Sequence, residues 1–131
     1  MSIGAIEALV EPLTQQLVKM TEGGSDGVIL SCGECYVQFA GGASDLLFEA
    51  VSNDFLPESR QLNDLQVMLL FGMGFDVGED GEPANFSQEF GLEEGDNWEE
   101  QTLREFALQA LALLYYVYEC RDGAAYRIEP V

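Results

Sequence analysis

The sequence contains no histidine, and that absence excludes more chemistry than any motif in the chain supplies. Without imidazole there is no Ser-His-Asp triad, no general base titrating near neutral pH, and no His ligand for zinc or haem. Basic residues are scarce as well: 5 Lys and Arg stand against 24 Asp and Glu, for a formal net charge of -19. A surface of that sign repels phosphate backbones and lacks the basic stripe that counterion release requires, so nucleic acid is excluded as a partner. Cys 3 is too few for a disulfide framework and suits a reducing compartment. Long hydrophobic runs are missing too. The longest, Phe106 to Tyr118, is too short for a bilayer, and Met1 to Ile6 carries no basic n-region, so the chain reads as cytoplasmic with no membrane partner.

What is present is enough to fold. The chain has 131 residues, 47% hydrophobic and 11% aromatic, and folding at this length removes roughly two-thirds of the unfolded surface from water. No internal repeat or interdomain linker divides it, so residues 1–131 read as one domain.

Apolar residues recur at Ile3, Ile6, Leu9, Val10, Leu13, Leu17 and Met20, the spacing of one helix face. Pro12 either kinks that helix or opens a second segment from its first turn. Thr21 to Gly27, with three glycines, ends it. The period then changes. Val28 to Cys32, Cys35 to Ala40 and Leu46 to Val51 predict a three-stranded antiparallel meander, its first hairpin closed by Gly33-Glu34, where a leading glycine suits a type II′ turn. Both faces of this sheet carry apolar side chains, and Ser31, Gln38 and Glu49 mark the polar positions, so the second face is expected to be partly covered. Leu62, Leu65, Met68 and Leu69 predict a short helix over 62–71, with Ser59 or Asn63 as cap and Gly72 or Gly74 as stop. Residues 85–90 predict a weak strand inside a long acidic loop.

The clearest element runs from about 98 to 121. Asn97 is its expected N-cap, with Glu100 three residues on, and Asp122-Gly123 its expected left-handed end. Leu103, Phe106, Ala107, Ala110, Leu111, Leu114, Val117 and Tyr118 form one stripe, and no charge falls between Glu105 and Glu119. This wide apolar face has two readings. It is a core helix lying across the sheet, or the side chains outside the stripe (Leu108, Ala112, Tyr115 and Tyr116) form a partner or dimer interface, where tyrosines are enriched. Ala125 to Glu129 alternates and predicts a terminal edge strand.

Three motifs invite chemical readings. Cys32-Gly33-Glu34-Cys35 has the spacing of zinc ribbons and redox sites, but Cys120 is the only further thiol and no His completes a ligand set. A redox role is disfavoured because both thiols flank a strand turn rather than a helix N-terminus and Glu34 opposes a thiolate. Asp76 to Gly81 begins like a calcium loop, yet its third position is Gly78 and its twelfth Ser87. The pairs Glu93-Glu94 and Glu99-Glu100 have nothing beside them that would bury or pair a catalytic carboxyl. No catalytic residue, cofactor or metal site is therefore expected. Nearly half of the acids lie between Asp76 and Glu105, where Arg104 is the one basic residue, a one-signed field suited to solubility and to steering a basic partner.

Tyr36-Val37-Gln38-Phe39-Ala40, the run Glu49 to Pro57 with Ser52-Asn53-Asp54-Phe55-Leu56, Leu70-Phe71-Gly72 followed by Gly74-Phe75, and Asn85-Phe86 together resemble the bacterial TY-chaperone family, related to type III secretion chaperones and YbjN-like proteins. The likeness runs in order from the first helix to the last. This chain departs from the family where Gly74-Phe75 stands for a common Gly-Trp, and in its Cys-Gly-Glu-Cys turn. The resemblance implies an α+β fold, a twisted antiparallel sheet of the meander plus one or two further strands, packed by N-terminal, middle and C-terminal helices. It also implies a non-enzymatic, usually homodimeric protein that holds an extended client polypeptide on an apolar surface without ATP. Two other functions compete: an acidic regulatory or structural subunit that binds one folded basic partner, and a thiol redox protein using Cys32 and Cys35.

Overall fold

Pro12 divides the N-terminal apolar run. In the computed structural model, which describes residues 3–77 and 82–131, α1 (Ile3–Glu7) stops and α2 (Val10–Thr21) starts with Pro12 in its first turn. Proline has no N–H to give the carbonyl of Ala8, so the break falls at Ala8-Leu9, one of the two outcomes the sequence left open.

Five antiparallel strands follow the period-two segments: β1 (Gly27–Cys32), β2 (Cys35–Gly41), β3 (Asp45–Ala50), β4 (Phe86–Gly91) and β5 (Tyr126–Pro130), in spatial order β4-β3-β2-β1-β5. The expected meander is therefore the centre of the sheet, with the two weaker strands at its edges. At the first hairpin Gly33 has φ +62 and Glu34 does not share a positive φ, as a type II′ turn requires. In β4, Phe86, Gln88 and Phe90 share one face, which explains the wide spacing of its phenylalanines. The Gln88 amide lies between them and donates to the Met73 carbonyl at 3.1 Å.

Alternation sorts the side chains cleanly. Val28, Leu30, Val37, Phe39, Leu46, Phe48 and Ala50 are buried on one face, where Phe39 stacks on Phe48 at 4.3 Å and Phe106 meets both edge-on at 6.3 Å. The second face is partly covered, as expected. Ile29, Tyr36, Gln38, Leu47 and Glu49 are only half-buried there, and Gln38 satisfies Glu49 across the strands at 2.8 Å. The cover comes from neighbouring side chains, and at Tyr36 from Asn85.

α3 (Asp64–Gly72) begins at Asn63, whose side chain and Gln66 form a reciprocal capping box. It ends at Gly74, with φ +97, where the Phe75 N–H reaches Leu70 and the Gly74 N–H reaches Phe71. α4 (Glu100–Ala112) differs from its predicted span at both ends. Glu99, not Asn97, precedes its first turn, because Trp98 packs against Phe106 and holds the chain extended before it. At the other end a π turn (Leu113–Val117) replaces regular helix, and Glu119, with φ +59, is the left-handed residue in place of Gly123. Asp122 instead caps the short turn Gly123–Ala125. Arg104 pairs with Glu11 and ties α4 to α2. The calcium-like motif falls partly on residues 78–81, outside the described residues.

Candidate polypeptide-binding surfaces

Every member of the predicted α4 stripe is buried, from Leu103 to Tyr118. The four side chains outside it emerge elsewhere, and together. Leu108, Ala112, Tyr115 and Tyr116 line one wall of a groove of about 180 Å³, closed opposite by Ile6, Glu7 and Val10 with Leu111 at its floor. Positions 108, 112, 115 and 116 repeat at helical spacing, which puts them on one side. The π turn then absorbs one extra residue, shown by the Tyr118 N–H reaching Leu113 at 3.1 Å, so Leu113, Leu114 and Val117 stay in the core while the tyrosines remain outside. The far wall exists because Pro12 breaks α1 from α2. Leu108 is 47% and Tyr116 58% exposed, although both are large apolar side chains.

Arg121 frames the end of this groove. Its guanidinium lies 4.7 Å from the Tyr115 ring centre and 6.0 Å from that of Tyr116, while its Nε donates to the Tyr115 carbonyl at 3.0 Å. The two tyrosine rings meet edge-on at 4.9 Å. Cation and rings hold one another in place before any partner arrives.

A second apolar surface was not read from the sequence. The expected helix face of Leu65, Met68 and Leu69 points to solvent, at 68%, 66% and 49% exposure, and only Leu62 of that set is buried. α3 instead seats Leu70 and Val67 inward and anchors Gln66 on the Val117 carbonyl at 2.7 Å. Phe71, on the same helix, is exposed as well, at 45%. The missed signal was Val67 to Phe71, five consecutive apolar residues that no single helix face can hide.

Cys32 and Cys35 lie directly opposite each other on the buried side of the β1–β2 hairpin. The structure adds Cys120 and Arg60 beside them. Arg60 Nη2 donates to Cys35 Sγ at 3.5 Å, to Cys120 Sγ at 3.2 Å and to the Tyr118 carbonyl at 3.2 Å. The Cys120 thiol and the guanidinium hold the Cys35 thiol below its ordinary range, against burial, and the opposing charge of Glu34 is the smallest effect there. Glu34 does oppose the Cys35 thiolate, as expected, but chain-distant Cys120 and Arg60 outweigh it. The hydrogen bond with Cys35 and then burial push Cys120 up, and burial pushes Cys32 up. Among the described residues no group of three or more Cys, Asp or Glu is placed to hold a metal ion, and no helix is long and apolar enough to cross a membrane.

An independent comparison bears on the apolar surfaces. The profile of a family described as T3SS (YopN, CesT) and YbjN peptide-binding chaperone 3 matches residues 7–125. The chain belongs to this TY-chaperone family. The span shared with the TY-chaperones takes in α2, the sheet through β4, α3 and α4, and therefore most of the groove and the whole α3 patch. No curated protein and no solved structure shows a significant match to the chain.

Proposed function

We propose that this TY-chaperone is a non-enzymatic cytoplasmic protein that holds an extended or partly unfolded client segment in the groove between α1, α2 and α4, and pairs with a second copy through α3. The groove carries the reading. A core helix needs only its buried stripe, yet α4 also presents Leu108, Ala112, Tyr115 and Tyr116 to a concave, nearly uncharged site. An apolar client side chain buried there contributes about 1.5–3 kcal/mol. Groove-filling anchors of this kind are how an amphipathic or extended segment is read by a preformed surface. The net charge of -19 favours clients whose anchors are flanked by Lys or Arg.

The test is a peptide array of Leu- and Phe-anchored peptides, each made with Lys/Arg flanks and with Asp/Glu flanks. Basic-flanked peptides should bind, and Leu108→Glu and Tyr116→Glu should each weaken them by about tenfold or more, equivalent to ~1.4 kcal/mol, with an unchanged unfolding midpoint. Binding that ignores both substitutions would place the client elsewhere.

A further inference from the structure

The fold gathers all three thiols of the chain at one place. Cys32 and Cys35 arrive on adjacent strands, and Cys120 is carried in by the residues after the π turn, donating to the Cys32 carbonyl at 3.5 Å. One guanidinium nitrogen of Arg60 touches the sulfurs of both Cys35 and Cys120. The same nitrogen donates to the Tyr118 carbonyl at 3.2 Å, which fixes the guanidinium against the two sulfurs.

We propose that Cys35 and Cys120 are a hydroperoxide-oxidisable thiol pair, with Cys35 the attacking sulfur, Cys120 the resolving sulfur and Arg60 a positioning residue that holds both. The Cys35 thiolate attacks the terminal peroxide oxygen: an S–O bond forms, the O–O bond breaks, and the departing alkoxide (hydroxide when the peroxide is hydrogen peroxide) takes up through solvent the proton that Cys35 released, leaving as an alcohol or as water. Cys35 is oxidised to the sulfenic acid and the peroxide is reduced. Cys120 then attacks that sulfur. An S–S bond forms, the S–O bond breaks, and the departing hydroxide takes the Cys120 thiol proton to leave as water.

Geometry selects these two sulfurs. A cation beside a thiol favours its thiolate form, which is the nucleophile, and Arg60 contacts both sulfurs; Cys120 Sγ keeps its proton on the Cys32 carbonyl at 3.5 Å while Cys35 Sγ accepts from Arg60, which makes Cys35 the attacking sulfur. Cys32 instead lies opposite Cys35 without the guanidinium. Both sulfurs are buried, and access to them runs past Arg60. Arg60 closes the cluster from the surface turn Glu58–Arg60, where Glu58 and Ser59 are exposed, so displacing one turn admits a small peroxide.

The intact, reduced protein is treated with hydrogen peroxide, blocked with N-ethylmaleimide and digested with trypsin. Cleavage after Lys19, Arg60, Arg104 and Arg121 leaves Cys32 and Cys35 on residues 20–60 and Cys120 on residues 105–121. The expected product joins these two peptides with loss of two hydrogens, survives in Cys32→Ser, and disappears in Cys35→Ser and in Cys120→Ser. Arg60→Gln should slow its formation by about tenfold, the loss expected when a cationic neighbour no longer favours the thiolate. Arg60→Lys keeps a cation and should retain most of the rate, which also decides the matter if Arg60→Gln does not fold. A disulfide internal to residues 20–60, oxidation only in denaturant, or a folded Arg60→Lys as slow as Arg60→Gln would overturn the proposal.

Discussion

Tyr118 shows how much one polar atom does at the end of α4. Its hydroxyl, buried against the sheet, donates to the Val51 carbonyl at 2.6 Å. Tyr118→Phe keeps the ring but leaves that carbonyl without its partner, which should destabilise the protein by about 1–3 kcal/mol in urea unfolding. Burial also pushes the phenol above its ordinary value of 10.0. The native state therefore keeps a proton that the unfolded chain loses as pH rises past 10.0. Stability falls with pH wherever the native state binds more protons, so unfolding free energy should decline above that pH, and Tyr118→Phe should flatten the decline. Tyr126, also buried, with its hydroxyl on the Cys120 carbonyl, leaves part of the slope in the variant. That Tyr118 is buried could be read from its place in the apolar stripe. That its hydroxyl meets Val51, 67 residues away, could not.

The helices differ in how legible their faces are. Periodicity marks the stripe of α4 that is buried, but it leaves Leu108, Ala112, Tyr115 and Tyr116 as either core or interface, and Leu113, outside the stripe, is buried as well. α3 is apolar almost all round, and periodicity then has no contrast with which to choose a face. The choice was made by the Gln66 anchor on Val117 and by the seat of Leu70, both set by where α4 ends. Leu65→Glu and Met68→Glu change side chains that bury little within the protomer, so each should shift monomer stability by no more than about 0.5 kcal/mol. If α3 is the pairing surface, the double variant should be monomeric by light scattering at concentrations where the parent is dimeric. A parent protein that is monomeric throughout would remove α3 from that role.

For the whole molecule, charge and apolar surface predict opposite responses to salt. If two copies pair through α3, their charges of -19 repel while the apolar α3 patches favour contact. Screening shortens the repulsion to about 10 Å at 0.1 M ionic strength and leaves apolar contact intact. Sedimentation between low salt and about 0.5 M should therefore show dimerisation strengthening, whereas basic-flanked peptides should bind more weakly. A partner held by charge alone, as for an acidic subunit on one folded basic protein, would lose affinity steeply with salt and would not notice Leu108→Glu.

Local spacing determined much of this protein. The absence of histidine, the acidic balance, the period-two meander, the glycine of the first hairpin, the Asn63 cap and the buried stripe of α4 all follow from residues within a few positions of one another, because backbone sterics and side-chain periodicity are local. Tertiary structure alone decided which face of α3 is exposed, that Ile6 and Val10 form the far wall of the α4 groove, and that Arg60 and Cys120 meet the Cys32–Cys35 hairpin. Each of these joins residues far apart in the chain, and such meetings are set by how helices settle on the sheet, which no short window of sequence contains.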